Sequence, residues 1–286
     1  MSVARTPVGG DRRPDPSNRS RMAVGIDRIG YYLPSLLVAV GTLVLWELVV
    51  GALAIKAFIF PQPSAILAAL QANWASPQFP LFASAQATLY EAAGGLAIGT
   101  FAGLAVAFAI SRWATTRGVL LPIAVAANAV PIIAFAPLFN NWFGVLAPLS
   151  KMMMAAVLVF FPVMANVTRG LTQVDPAALE LMRSYAAGEG TILRKVRIPN
   201  ALPYFFTALK LATTLSLIGA IVGEYFGGSS VVLGRVIVQS ASALRFDVTW
   251  AAIVFTAVTG ITFYLVTAAL ERLVIPWHAS LRATEG

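Results

Sequence analysis

Long apolar runs alternate with short polar segments along most of this chain. A helix needs about 20 consecutive apolar residues to cross a bilayer, and six runs are close to that length. They cover residues 31–55 and, approximately, 85–111, 119–139, 148–168, 201–222 and 249–270. The pattern predicts an all-α membrane protein with six transmembrane helices.

The composition of the chain supports a membrane protein. Hydrophobic residues make up 58% of the sequence and charged residues 11%, whereas a soluble domain carries about 25% charged residues. A large soluble helical protein is therefore disfavoured. Cysteine is absent, which excludes disulfides, thiol catalysis and thiolate metal sites. The single histidine, His278, follows Trp277 and is interpreted as a residue of the membrane interface.

Basic residues are distributed unevenly between the two sides of the predicted spans. Fifteen lie before span one, between spans two and three, between spans four and five, or after span six. The opposite loops hold Lys56, Lys151, Arg235 and Arg245. Because basic loops stay in the cytoplasm, we expect both termini there. The net charge of +8 then reflects topology, and nucleic-acid binding is not needed to explain it.

Three regions follow from this orientation. Residues 1–29, rich in Arg, Pro, Gly, Asp and Ser, are predicted to be a disordered cytoplasmic tail. Residues 30–278 form the transmembrane domain, and residues 279–286 are a short cytoplasmic tail. The largest predicted cytoplasmic loop, residues 169–200, separates spans four and five.

This loop carries helix signals. Asp175 and Pro176 suit an N-cap and a first helical position, and Gly188 suits a C-terminal stop. Thr191 is expected to start a second short helix that Pro199 ends. Apolar side chains at helical spacing give the first helix one apolar face: Ala178, Leu181, Met182 and Tyr185. This face must meet a partner protein, the chain's own helix ends or the membrane surface.

The segment LELMRSYAAGEGTILRKVRIPNALP, residues 179–203, resembles the signature loop of ABC importer permeases. Glu180 matches the motif glutamate, Leu181 and Met182 replace its alanines, and Ala186 replaces its glycine. The close of the motif matches at residues 196–199, which end in Pro199. Further segments resemble the nitrate, taurine and sulfonate branch: FPQPSAILAAL at 60–70, NAVPIIAFAPLFNNWFG at 128–144, Glu224 with Leu233 and Gly234, and LERLVIPW at 270–277. The sequence of the loop is similar to that of permeases for thiamine precursors, riboflavin or other pyrimidine-like solutes.

This resemblance implies a type I ABC importer permease fold, in which the loop holds a coupling helix that docks on a cytoplasmic ATPase. The coupling residues implied are Glu180, Arg183, Ser184, Tyr185, Ala186, Ala187, Gly188, Glu189 and Pro199. The implied partners are two ATPase subunits, a second permease copy (as a homodimer), an extracytoplasmic solute-binding protein and membrane lipid. The chain itself is expected to be a multi-pass protein of the cell inner membrane. Transport would proceed by alternating access.

ATP chemistry is expected on the separate ATPase chain, with its Mg. None of the four lysines follows the Gly-x4-Gly-Lys-Ser/Thr pattern that cradles nucleotide phosphates. The sequence also offers no paired carboxylates, nucleophile–base set or metal cluster. No cofactor, catalytic residue or metal site is therefore predicted on this chain.

Two groups of residues are candidates for packing and for the transport pathway. Gly95, Gly99 and Gly103 repeat at the spacing that lets membrane helices approach closely; they serve packing within the subunit or a subunit interface. Asn128, Pro131 and Phe135 belong to a proline-interrupted span. Because broken backbone at membrane depth needs a protein interior or a wet cavity, they line the pathway or kink a packing helix.

Glu47, Glu91 and Lys210 are ionisable residues in or near the predicted spans. All three lie within a few turns of span ends, so snorkelling to the interface is expected to satisfy them. The alternatives to an ABC permease are a non-transporting scaffold and an ion- or proton-coupled secondary transporter acting alone. A secondary transporter predicts inverted repeats and midplane charges, and neither is evident in the sequence.

Overall fold

The computed structural model describes residues 21–112, 131–229 and 231–276, with side chains from residue 33 onward. Within these residues the regular structure is helical throughout, which confirms the all-α class. The helices are α1 Arg21–Ala52, α2 Pro63–Ala72, α3 Leu81–Arg112, a 3-10 turn Ile132–Phe135, α4 Ala136–Phe143, α5 Pro148–Thr172, α6 Pro176–Ser184, α7 Glu189–Phe226, α8 Leu233–Ser242 and α9 Phe246–Val274.

Five helices of the described chain are long and apolar enough to cross a membrane. These spans are Leu33–Ala52 of α1 and the whole of α3, α5, α7 and α9. The predicted third span, 119–139, begins within residues 113–130, which lie outside the described residues. Its described remainder forms the 3-10 turn and the short helix α4. The described residues therefore contain five of the six expected spans.

The chain divides between Ile55 and Lys56 into two compact units. Within the first unit, α1 begins at Arg21, so it overlaps the predicted disordered tail over residues 21–29. No proline interrupts the chain between Arg21 and Leu33, and the helix continues backward from the apolar run. Residues 1–20 lie outside the described residues.

Close packing of α3, α5 and α7 forms the centre of the second unit. A Cβ atom added to Gly95 would lie 2.3 Å from the Cβ of Ala155, and one added to Gly99 would lie 2.5 Å from the carbonyl oxygen of Ala156. At Gly103 the nearest atom would be the Phe160 carbonyl oxygen, at 3.0 Å. The three glycines thus lie directly against α5 of the same chain. A buried apolar cluster continues this contact: Ala107, Val159, Val163, Val167, Leu171, Ala201, Ala208 and Ala212.

Helix α9 packs on α2, α7 and α8 and is tied to α7 by polar contacts. Lys210 forms an ion pair with Glu271 at 2.6 Å, and the hydroxyls of Thr213 and Thr267 are 3.0 Å apart. The snorkelling predicted for Lys210 is therefore wrong, because an oppositely charged side chain on a neighbouring helix satisfies it within the protein. Elsewhere α9 exposes large apolar side chains, including Leu265 and Leu273, as a lipid-facing helix does.

Candidate functional site

The segment between α5 and α7 begins with a capped helix. Asp175 is the N-cap of α6, and its side chain accepts a hydrogen bond of 3.0 Å from the backbone N–H of Ala177. Pro176 takes the first helical position, where its missing N–H costs nothing. Both assignments confirm the prediction from sequence.

The left-handed residue that stops α6 is Ala186 rather than Gly188. Ala186 has a φ of +50°, its N–H donates to the carbonyl of Arg183, and the N–H of Ala187 donates to that of Met182. These two bonds form a Schellman motif, which normally places glycine at the left-handed residue. The prediction of Gly188 as the stop is wrong, because the hydrogen bonds close the helix two residues earlier.

Gly188 instead starts the next helix. It is the N-cap of α7, and its carbonyl accepts hydrogen bonds from Thr191 and Ile192. The expected short helix from Thr191 to Pro199 is also wrong, since α7 runs unbroken from Glu189 to Phe226. A π-helical turn at Leu193–Arg197 ends two residues before Pro199. The proline ring would otherwise press on the carbonyl of Lys195, four residues earlier, and a widened turn relieves such a clash.

The loop presents both charges and apolar side chains at its surface. Leu181 is 57% exposed and Tyr185 is 76% exposed, while Ala178 and Met182 are half-buried. Glu180 and Arg183 are exposed, but among the described ion pairs the one in this loop joins Arg197 to Glu189, at 3.9 Å. An apolar face on a helix outside the apolar spans is a surface available to another molecule.

Asn200 anchors this segment to the membrane helices, a role that the sequence analysis did not assign. Its side-chain amide donates to the carbonyls of Gly170 at 2.7 Å and Gln173 at 3.1 Å. It thereby satisfies orphan carbonyls at the C-terminal end of α5. An Asn directly after Pro199 was the available signal, but its partners lie 27 and 30 residues earlier in the chain.

The candidate pathway residues lie in the interrupted helix. Pro131 precedes the 3-10 turn, and Phe135 ends it with its ring stacked on Phe139, the centroids 5.6 Å apart. Asn128 lies outside the described residues. The regular helix resumes only at Ala136. The described part of this segment is therefore interrupted near the prolines.

A buried ionic cluster lies among α3, α5 and α7. Glu91 is 4% exposed, and Lys151 and Glu224 are fully buried. Electrostatic interactions join all three groups, and the two carboxyls lie within hydrogen-bonding reach of each other. The snorkelling predicted for Glu91 and the absence of paired carboxylates are both wrong. Each of these residues is isolated in its own stretch of sequence, and helix packing brings them together.

The same cluster holds the start of α8. The N–H of Gly234 donates to Oε2 of Glu224 at 2.6 Å, and the N–H of Leu233 donates to Oγ1 of Thr88 at 2.9 Å. Because Val232 offers no side-chain cap, these two acceptors satisfy N–H groups that the helix leaves free. A Cβ added to Gly234 would lie 2.7 Å from the Cβ of Glu224, so glycine is required for this approach.

Comparisons with known proteins identify the family of this chain. Residues 95–277 match the family described as binding-protein-dependent transport system inner membrane component. A probable ABC transporter permease protein of Haemophilus influenzae is 34% identical over 81% of this chain and 91% of its own length. The riboflavin transport system permease protein RibX of Chloroflexus aurantiacus is 29% identical over 83% of this chain and 87% of its own.

A solved structure has the same fold. The crystal structure of an amino acid ABC transporter with histidines superposes with a TM-score of 0.56 at 20% identity, covering 68% of this chain and 94% of that one. At this identity the likeness concerns the fold alone. The family match spans more than half of the sequence and includes α5, α6, α7, α8 and α9. The chain belongs to the binding-protein-dependent transport system inner membrane components, the permease subunits of ABC transporters.

Proposed function

We propose that residues 173–200 couple this permease to a cytoplasmic ATPase. In this proposal two ATPase subunits bind ATP and Mg, two copies of the permease form the pore, and an extracytoplasmic binding protein delivers the solute. ATP-driven closure of the ATPases moves α6, and the motion passes through α7 and the Asn200 anchor to the membrane helices. Family membership does not favour a secondary transporter acting alone.

The observation that carries this proposal is the exposed apolar surface of α6. Tyr185 and Leu181 are both largely exposed beside the charged side chains of Glu180 and Arg183. A Tyr with a polar tip and an apolar ring is typical of the anchors of protein interfaces. The Schellman stop at Ala186 and the helix start at Gly188 hold this surface at a sharp turn between two helices.

A pair of substitutions at Tyr185 tests the docking. Tyr185→Arg should abolish solute-stimulated ATP hydrolysis and reduce co-purification of the ATPase at least tenfold, because it replaces an apolar anchor by a charge, with a loss of about 2 kcal/mol or more in binding. Tyr185→Phe keeps the ring and should retain most of the activity. Unchanged stimulation in Tyr185→Arg, at equal membrane abundance, would refute the coupling role of this surface.

We further propose six spans with both termini in the cytoplasm. The five described apolar helices and the excess of basic residues on one side support this topology. The span not yet accounted for would be the predicted third one, residues 119–139, which continues into the interrupted segment. Asn128, Pro131 and Phe135 are then placed along the pathway, since proline-interrupted backbone at membrane depth needs polar surroundings.

For the substrate we propose a small solute, with riboflavin, a thiamine precursor or another pyrimidine-like compound preferred over nitrate, a sulfonate or taurine. The sequence of the loop, which is similar to that of such permeases, supports this preference. Among the relatives, permeases for riboflavin and for aliphatic sulfonates are both 29% identical to this chain. Uptake of labelled riboflavin and a labelled pyrimidine should fall when the chromosomal copy of this chain is deleted and recover with the wild-type chain. Loss of sulfonate or taurine uptake instead would reverse the order of preference.

A further inference from the structure

Three ionisable side chains from three helices meet in the interior of the second unit. Glu91 comes from α3, Lys151 from the first turn of α5 and Glu224 from the last turn of α7. They are between 96% and 100% buried. Charged groups inside a membrane protein are costly and are retained where they pair or bind something. This cluster lies away from α6, and the coupling role does not use it.

The hydrogen bonds of the cluster leave two oxygen atoms without a partner. Oε2 of Glu224 accepts from the N–H of Gly234, and Nζ of Lys151 donates to the carbonyl of Val145. The hydroxyl of Thr88 also lies within hydrogen-bonding reach of Glu224, but Oε1 of Glu224 and Oε2 of Glu91 are buried and have no hydrogen-bond partner among the described residues. The two carboxyl groups nevertheless lie within hydrogen-bonding reach of each other. Two ionised carboxylates offer only acceptors, so a donor is missing between them.

The charges of the cluster, like its hydrogen bonds, indicate that one group is missing. Two carboxylates and one ammonium group carry a net charge of −1, and an uncompensated buried charge is strongly destabilising. Two carboxyl groups that share one buried site do not both ionise, because like charges repel. One additional positive charge would make the cluster neutral. A proton on one carboxyl would supply that charge and also the missing donor.

Neighbouring groups do not supply that charge. The charged groups that act on Glu91 and Glu224 are each other and Lys151. Arg235 of α8 passes near the Lys151 side chain at Gly228, and its Nε is buried without a hydrogen-bond partner, but no ion pair of the described residues joins it to either carboxylate. Arg245 is paired with Asp247 at 3.0 Å, and Lys210 with Glu271. Tyr225, the remaining titratable neighbour, lies beside Glu224 and is neutral when protonated.

We propose that Glu91 and Glu224 share one bound proton and, with Lys151, form a neutral proton-binding site that joins α3, α5, α7 and the start of α8. The proton lies between Oε2 of Glu91 and Oε1 of Glu224. The negative charge that remains is delocalised over the two carboxyls and is balanced by Lys151. The bound proton keeps Glu224 in place as the acceptor for Gly234, and it thereby holds α8 against the bundle.

Infrared spectroscopy of the purified full chain in lipid nanodiscs tests the proton directly. The wild type should show the C=O stretching band of a protonated carboxyl at neutral pH, with a small downshift in D2O. Glu91→Gln keeps the shape and the hydrogen-bond donor, so the band should disappear while the protein stays folded. Glu271→Gln, which changes a buried carboxylate paired with Lys210, is the matched control and should leave the band unchanged. Absence of the band in the wild type, or its persistence in Glu91→Gln, would overturn the proposal.

The melting temperatures of charge variants provide a second test, which does not depend on the infrared spectrum. Glu91→Gln and Glu224→Gln each leave one carboxylate opposite Lys151, so each single variant should melt close to the wild type or moderately below it. The double variant leaves Lys151 unpaired and should melt well below either single variant. Adding Lys151→Met restores neutrality and should recover most of the loss. Additive effects of the two Gln substitutions, or a wild-type melting temperature that rises with sodium at constant ionic strength, would contradict a shared proton.

Discussion

Ala186 is the residue at which the loop departs most clearly from ordinary backbone preferences. Its φ of +50° belongs to the left-handed region, which costs an L-residue with a Cβ roughly 1–2 kcal/mol. The position is the one at which the family's signature loop carries glycine. The turn after α6 is therefore formed by hydrogen bonds to Arg183 and Met182, in spite of an unfavourable residue.

Replacing Ala186 by glycine should therefore stabilise the protein. The relief of left-handed strain exceeds the added entropy of the unfolded chain, about 0.4–1 kcal/mol, so we expect a net gain of about 0.5–1 kcal/mol. Thermal unfolding of the purified chain measures it. Ala187→Gly is the matched control: Ala187 has no positive φ, and the same substitution there should lower the melting temperature. A lower melting temperature for Ala186→Gly would show that the strain is absent.

At the scale of helices, the contact between α3 and α5 depends on residues without side chains. Gly95, Gly99 and Gly103 lie on one face of α3, and backbone carbonyls of α5 occupy the space where their Cβ atoms would be. Small residues at this spacing allow close approach. Because α5 of the same chain already fills this face, these positions contribute to packing within the subunit.

Gly99→Ala should separate these two helices. The new Cβ would lie 2.5 Å from the carbonyl oxygen of Ala156, a backbone atom that cannot rotate away. We expect a destabilisation of about 1–3 kcal/mol, typical of overpacking, seen as a lower melting temperature and reduced membrane abundance. Gly41→Ala in α1, where no atom lies within 4 Å of the new Cβ, is the control and should have little effect. Equal effects at the two sites would show that the contact is looser than described.

On the scale of the whole molecule, the charged segment between α5 and α7 and the buried ionic cluster lie at opposite ends of these long helices. The proposed coupling segment joins the C-terminal end of α5 to the N-terminal end of α7, whereas Lys151 and Glu224 lie at the other ends of the same helices. A motion that begins at α6 therefore has to travel along α5 and α7 to reach the buried cluster. Both helices are part of one packed core with α3, which makes them suited to move as a unit.

The proposed topology predicts which end faces the cytoplasm. The chain has no cysteine, so single cysteines can report accessibility. Ser229→Cys, in the exposed segment before α8, should react with an impermeant maleimide in intact cells. Ser184→Cys, at the end of α6, should react only after permeabilisation. Labelling of Ser184→Cys in intact cells would show that the orientation is opposite to the proposed one and that α6 does not face the ATPase.

Local patterns in the sequence determined much of this protein. Apolar length predicted the five described spans, because a bilayer demands about 20 apolar residues whatever the helix packs against. The Asp175–Pro176 pair predicted the start of α6, since capping depends on neighbouring residues alone. The glycine spacing on α3 indicated a close contact for the same local reason.

Only the tertiary structure decided the helix stop at Ala186, the unbroken helix through Pro199 and the buried ionic cluster. Hydrogen bonds to Arg183 and Met182 override the preference of Ala186, which is left-handed. At Pro199 the π-helical turn over Leu193–Arg197 lets α7 continue. Glu91, Lys151 and Glu224 are each a lone charge in an apolar stretch and are separated by 60 and 73 residues along the chain. Which side of a helix such a charge faces depends on how the helices rotate and pack, and packing is a property of distant parts of the chain.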